Sequence, residues 1–355
     1  MGAEYSATFS HMSKPILLIG AVVLLLGLGS GLVLLREQQS GGSTAPKLSL
    51  GAKQPYVEIV NPSGFVNTEG ITIKELVGKK VILVDFLTYS CINCQRTFPY
   101  LNAWYEKYKD QGLEIVGIHT PEFAFEKDIN NVREAMKRFG ITHPIVLDNK
   151  YATWRAWGNQ YWPRKYLIDI HGNVVYDHIG EGAYEETEKK IRELLEERAR
   201  LMGEGNLDSV ELAASQIQSA PNFAQSPETY FGSSRNEYLS NGVRGRSGEQ
   251  TFSIPQNILQ NALYLGGVWS IAPEYAESIS NSSVVYTYNA KAVYIVAEAD
   301  TSTELEVWQD GILQQTLLVK ESMLYTLVKN DIAGEHTLEL RIKNHNVKLY
   351  AFTFG

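Results

Sequence analysis

Val81-Ile82-Leu83-Val84-Asp85-Phe86-Leu87-Thr88-Tyr89-Ser90-Cys91-Ile92-Asn93-Cys94 is the stretch that decides how this chain is read. Its first six residues are a short β-branched, apolar run, the pattern of a buried strand. From about Gln95 to Asp110 the pattern turns amphipathic and predicts a helix. The only two cysteines of the chain therefore fall where a strand gives way to a helix. A Cys-x-x-Cys at that point puts the first sulfur among unpaired backbone N–H groups, where the helix dipole favours a thiolate. The second sulfur, three residues on, lies on the same helical face and can close a disulfide with the first. This is the layout of a dithiol redox site.

Two other readings of the pair are weaker. Zinc needs about four ligands in tetrahedral geometry. No second cysteine pair exists, and His119, His143, His171, His178, His336 and His345 show no paired ligand spacing, so no metal is expected. A static structural disulfide closing so short a loop would constrain the unfolded chain less than a long-range bridge. No phosphate loop, nucleotide fingerprint or Ser/His/Asp motif is visible, and no cofactor is expected. The net charge of −8, without a basic stripe, argues against nucleic acid as a partner.

A length of 355 residues suggests two domains plus attachments. Residues 1–11 read as an extension added by cloning, with Ser10-His11-Met12 as the junction. Residues 12–37 read as a single transmembrane anchor: Pro15 to Leu35 is uncharged and apolar, and about 20 such residues span the ~30 Å hydrocarbon core. Lys14 and Arg36 flank it on either side, so the positive-inside rule barely discriminates its orientation. An N-in arrangement would place everything after Ser40 outside the cytoplasm, on the periplasmic or cell-surface side. Residues 38–55, rich in Ser, Gly, Gln and Pro, read as a flexible tether.

From residue 56 to 202 strands and helices alternate. Leu113 to His119 and Pro144 to Leu147 predict buried strands, and Lys127 to Phe139 and Tyr151 to Trp157 predict helices. Lys165–Asp169 and Val174–Asp177 flank a hairpin turn, and a charged helix follows from Tyr184 to Leu201. This order indicates an α/β sheet with helices on both faces. Residues 203–227 read as a linker. From 228 to 355 short runs rich in β-branched and aromatic residues, such as Val284–Tyr288 and Ala292–Val296, are separated by turns. They predict an all-β sandwich of jelly-roll or carbohydrate-binding-module type. Trp269, Tyr275, Tyr286, Tyr288 and Trp308 are candidates for stacking on a glycan, with core packing as the plainer alternative.

At Asp85, Phe86, Cys91, Cys94 and Pro163 the chain resembles the thioredoxin superfamily, and most closely its membrane-anchored thiol–disulfide oxidoreductases of the TlpA/ResA kind. The segments Thr88–Cys94, His119–Phe123 and Tyr161–Pro163 look like the thioredoxin part of DipZ-type proteins. Ser226–Tyr230 and the closing Tyr350–Gly355 look like the β-rich module that follows it. The resemblance implies an α/β thioredoxin-like fold with Cys91 as the exposed nucleophile and Cys94 as the resolving thiol. It further implies Asp85 as a buried acid that helps move the resolving thiol's proton, and Pro163 as a cis-proline facing the pair.

Trp162, Tyr89 and Arg164 are candidates for substrate contact; Trp162 and Tyr89 form with Phe98 either an apolar collar around the sulfurs or ordinary aromatic core packing. Arg164 and Lys165 put positive charge near the site, and Glu122 reads as a solvated loop residue, with a second acid at the site as the alternative. The implied activity is exchange with protein thiols and disulfides, fed by a membrane electron donor of the CcdA/DsbD type because a single span stands where DipZ-type proteins carry a multi-span domain. A redoxin-type thiol peroxidase is the second enzymatic reading, since Thr88-Tyr89-Ser90-Cys91 matches a Thr-x-x-Cys spacing. A glycan- or protein-binding module carrying a redox domain is the third.

Overall fold

The computed structural model describes residues 54–205, 211–217, 224–343 and 345–355. The expected extension (1–11), the expected anchor (12–37) and residues 38–53 of the expected tether lie outside these. Among the described residues no helix is long and apolar enough to cross a membrane.

The first half runs β1 (Gln54–Pro55), β2 (Gly64–Val66), α1 (Ile73–Leu76), β3 (Val81–Leu87), α2 (Ile92–Tyr108), β4 (Leu113–His119), α3 (Ile129–Arg138), β5 (Ile145–Leu147), α4 (Ala152–Ala156), β6 (Arg164–Ile168), β7 (Asn173–Ile179) and α5 (Tyr184–Met202). Its strands make one seven-stranded sheet in the order β1-β7-β6-β3-β4-β5-β2. β3, β4 and β5 are parallel, and β6 joins β3 antiparallel. All seven residues of β3 are buried because helices cover both faces. Leu83 and Leu87 pack with Phe98 and Leu101 of α2 and Ile191 of α5. Ile82, Val84 and Phe86 point the other way, toward Ile73 of α1 and Trp154 of α4. Fully burying one such side chain stabilises by about 1.5–3 kcal/mol. α2 begins at Ile92, three residues before the amphipathic pattern does, so Cys91 caps the helix and Cys94 lies in its first turn.

The second half runs β8 (Thr229–Tyr230), β9 (Gly248–Phe252), β10 (Leu263–Ile271), β11 (Ala276–Ala299), β12 (Thr303–Gln309), β13 (Ile312–Val319), β14 (Met323–Ile342) and β15 (Val347–Phe354). The expectation of an all-β half holds. Its hydrogen bonding, however, runs as one continuous sheet, β13-β12-β14-β11-β10-β9, with β15 and β8 branching from β11. The runs expected as separate strands, 284–288 and 292–296, are two parts of β11, which spans 24 residues. Register shifts between Ala290 and Ala292 and between Val293 and Tyr294 mark bulges, which bend a strand and add twist. Leu349 of β15 accordingly stands opposite both Ala276 and Ala297, near the two ends of the same strand.

The inner side of this folded sheet holds Trp269, Tyr286 and Tyr288, all fully buried. Their polar ends are satisfied internally: the Trp269 indole donates to the Gly266 carbonyl, Tyr286 pairs with Thr229, and Tyr288 donates to Gln309. Tyr275 packs on Tyr350, and Trp308 lies under the Arg341 guanidinium at 4.2 Å. The expectation of stacking on a glycan is corrected for the three core aromatics, whose ring faces are enclosed.

Candidate active site

Cys91 is the N-cap residue of α2, in an extended conformation and without a side-chain cap. The first-turn N–H groups of the helix are thus left pointing toward the end that carries its sulfur. Both cysteines are free thiols, Cys91 partly exposed and Cys94 buried. Burial pushes the Cys94 thiol well above its ordinary value, and a hydrogen bond to Cys91 together with the charges of Cys91 and Asp85 adds to this. The two sulfurs therefore differ in access, although they stand three residues apart at the start of one helix.

Strand alternation decides what lies behind the pair. Asp85 follows Leu83 and precedes Leu87 on the β3 face that packs against α2. It is completely buried, and neither carboxylate oxygen has a hydrogen-bond partner. Burial raises its pKa to about 7, with the Lys165 charge pulling the other way. In register, Asp85 is paired with Lys165 on β6. Lys165 is also buried; its ammonium donates to the Gly180 carbonyl at 3.2 Å, and burial lowers its pKa against the opposing pull of Asp85 and Cys94.

Arg164, one residue earlier, faces the opposite side of the sheet. It is 2.7 Å from Asp177 and stacks over the Tyr166 ring. Arg164, a candidate for substrate contact, is thus buried in an ion pair, and the cation on the side of the two cysteines is Lys165.

The Trp162–Pro163 peptide bond is cis. The Trp162 indole donates to the Thr120 carbonyl at 3.0 Å, and its ring packs on Trp154. Tyr89, expected to touch substrate, is only 2% exposed: its ring stacks on His119, and its hydroxyl donates to the Ser322 carbonyl in the β half. It bridges the two halves instead of offering an open face. A cavity of about 660 Å³ lies beside it, lined also by Lys137, Arg138, Glu298 and Lys320. Phe98 is buried against Phe139, and it shares with Tyr89 and Trp162 the apolar cluster that also holds both cysteines, so these aromatics surround the pair as core packing.

Two features of the site went unread in the sequence. Ile92, between the cysteines, is only 8% exposed because it packs in one cluster with Phe123 and with Ala292, Tyr294, Val296, Leu324 and Tyr350 of the β half. The loop between β4 and α3 is the second. Glu122, expected to be solvated, accepts from the Tyr230 hydroxyl and pairs with Arg235, both at 2.8 Å, while the Ala124 N–H donates to Glu274. Glu126, at the end of the same loop, is completely buried and accepts hydrogen bonds from Thr88 and Ser90, just ahead of Cys91. A glutamate between Phe125 and Lys127 carries no local sign of such burial, because Thr88 and Ser90 lie some forty positions away in the chain. The flanking Phe123 and Phe125 are the only hint.

Comparison with known proteins fits this geometry. Residues 42–195 match the Redoxin family, and residues 226–355 match the family described as thioredoxin like C-terminal domain. The thiol-disulfide oxidoreductase YkuV of Bacillus subtilis is 30% identical over 145 residues, 41% of this chain and 97% of that protein. The thiol-disulfide oxidoreductase ResA of Bacillus thuringiensis is 30% identical over 183 residues, 52% of this chain and 99% of that protein. The chain belongs to the thioredoxin-like thiol–disulfide oxidoreductases. Protein DipZ of Mycobacterium tuberculosis is 38% identical over 300 residues, which cover 82% of this chain and 42% of DipZ. The likeness to DipZ therefore extends through both halves of this oxidoreductase, whereas YkuV and ResA match about half of it or less.

Proposed function

We propose that the chain is a membrane-anchored oxidoreductase whose folded part, 56–202 and 228–355, lies outside the cytoplasm and reduces protein disulfides by dithiol exchange. The observation that carries this reading is the asymmetry of the pair: Cys91 is reachable at the N-cap of α2, and Cys94 is enclosed behind it. The uncharged stretch from Pro15 to Leu35 supports the anchor.

The Cys91 thiolate attacks one sulfur of a substrate disulfide. A bond forms between Cys91 and that sulfur, and the other substrate sulfur leaves with the electron pair and takes up a proton. Cys94 then loses its proton and attacks the Cys91 sulfur. The second substrate thiol is released, and the protein is left with a Cys91–Cys94 disulfide. Asp85, with a pKa of about 7 and no hydrogen bond of its own, is the group on the α2-facing side of the sheet suited to take the Cys94 proton. Trp162, packed on the cluster that holds both cysteines, and Pro163 beside it offer a rim along which an extended peptide can lie. Each turnover consumes two electrons and two protons, so a thiol donor must re-reduce the pair; for an anchored protein outside the cytoplasm, that donor is a membrane protein of the CcdA/DsbD type.

Peroxide reduction is the weaker reading. The Thr88 hydroxyl, whose spacing suggested it, is donated to Glu126.

The potential of the Cys91–Cys94 couple, equilibrated against glutathione buffers, tests the direction of flow. The expected value lies near that of thioredoxin, about −270 mV. A value near that of a strong oxidant, about −120 mV, overturns the reductant and recasts the protein as a disulfide donor.

A further inference from the structure

Glu126 is a carboxylate with no exposed surface, bonded to the residue that precedes Cys91 and outside the chemistry assigned above. Its Oε1 accepts from the Thr88 hydroxyl, from the Ser90 hydroxyl at 2.7 Å and from the Ser90 N–H at 3.3 Å. Its Oε2 accepts from the Glu122 N–H at 2.6 Å and the Phe123 N–H at 3.0 Å. Five donors thus converge on one side chain, three from the segment that ends at Cys91 and two from the loop after β4. Burial raises its pKa, with the Thr88 and Ser90 hydroxyls pulling the other way and the Glu122 charge adding to the rise. Bonds to a charged acceptor are roughly twice as strong as neutral ones, and leaving such a group unpaired in the interior is costly.

The connection between β3 and α2 is only four residues, Thr88 to Cys91, and its neighbours at either end are regular structure. Of those four, Thr88 and Ser90 are held by Glu126, and Tyr89 by its hydroxyl bond to Ser322 and its stack on His119. Cys91 has no side-chain cap bond that would fix it otherwise. We propose that Glu126 is a positioning residue for the redox pair: its carboxylate ties the Thr88–Ser90 segment to the Glu122–Phe123 loop and so sets where Cys91 is presented to substrate and to Cys94. This rests on Cys91 being the attacking thiol.

The geometry has a consequence that a contribution to folding alone lacks. Closing the Cys91–Cys94 disulfide depends on the effective concentration of one sulfur at the other, and that falls when Cys91 is released. Glu126→Gln keeps the size of the side chain and can still pair with both hydroxyls by reversing them, but it leaves the Ser90 N–H or the loop N–H groups without a charged acceptor. In the full-length protein, the folded Glu126→Gln variant should show about a tenfold smaller equilibrium constant for disulfide closure against glutathione. Its exchange rate with oxidised glutathione should fall by a similar factor.

Cys91→Ser is measured alongside. If it keeps the wild-type exchange rate, the attacking-thiol reading falls and the proposal with it. If it abolishes exchange while folded Glu126→Gln stays within about twofold of wild type in both quantities, the positioning role alone is overturned. Should Glu126→Gln fail to fold, the double variant Thr88→Val, Ser90→Ala removes both hydroxyl donors and leaves the three N–H bonds. A smaller shift in the same two quantities is then expected, and no shift in either overturns the proposal.

Discussion

Asp85 is a cost to the fold and, in the proposed exchange, the acceptor of the Cys94 proton. Its pKa rises from 3.8 to about 7 on folding, so between these pH values the native chain holds a proton that the unfolded chain has lost. Stability therefore falls as pH rises through that window, by up to a few kcal/mol in all, and is least affected below the lower value. Asp85→Asn removes the ionisable group. The expected outcome is a melting temperature above wild type at pH 8, a gain that fades toward pH 4, together with a slower release of reduced substrate near neutral pH. Thermal melts at the two pH values and single-turnover exchange check both parts; a lower melting temperature at pH 8 would contradict the assignment. Lys165 belongs to the same picture. Reading Arg164 and Lys165 together as positive charge near the site missed the alternation of β6, which sends 165 and 167 toward α2 and 164 and 166 away.

Among elements, α2 carries most of the coupling. Its first turn meets the β half through Ile92, and its far end is tied to α5 through Glu188. That carboxylate accepts from Trp104 at 3.2 Å, Tyr108 at 2.6 Å and the Ala213 and Ala214 N–H groups at 2.8 and 2.7 Å. Burial alone would raise the Glu188 pKa, but these donors outweigh it and hold it below the ordinary range. A lowered pKa means stability that is present above the unfolded value of 4.5 and lost as pH falls through the folded one. Glu188→Ala should destabilise by about 2–4 kcal/mol at pH 7 and by less in acid, read from denaturant unfolding. Ile92→Ala should cost about 2 kcal/mol or more, because it removes side-chain volume from a packed cluster. A wild-type unfolding midpoint for Ile92→Ala would place that contact outside the folded interface.

The alternation of strands and helices from β3 to α5 was legible because each element has its own period. The Cys-x-x-Cys was legible because its meaning depends on only four residues and the strand and helix around it. Ile92, Glu126 and Glu188 were not, since each is defined by partners brought near only by the complete fold. The two long strands of the β half were likewise hidden, because the bulges that bend them carry no mark such as a proline.

At the scale of the whole molecule, the β half is packed directly against the redox loop. Tyr230 lies 2.8 Å from Glu122 and 2.7 Å from Glu228, yet a hydroxyl has one proton to donate. Both contacts are satisfied only when one carboxyl is itself protonated. Glu228 suits this: desolvation and the neighbouring Glu122 charge raise its pKa to about 7, and Arg235 pulls the other way. Its loss of the proton leaves two negative charges around one phenol, screened in part by solvent on the open side of Glu228. Contact between the halves should therefore loosen above pH 7. Hydrogen exchange at the Phe123 and Ala124 amides is expected to quicken between pH 6 and pH 8 beyond the intrinsic base-catalysed rise, and Glu228→Gln should suppress that excess. An excess that survives Glu228→Gln would assign it elsewhere.

The central claim is the division of labour between the two sulfurs, and trapping tests it most directly. Reduced full-length protein carrying Cys94→Ser is mixed with insulin, and the adducts are mapped by mass spectrometry, with Cys91→Ser in parallel. The account predicts a mixed disulfide through Cys91 that accumulates in Cys94→Ser, and no adduct in Cys91→Ser. An adduct through Cys94, or equal trapping by both variants, would contradict it.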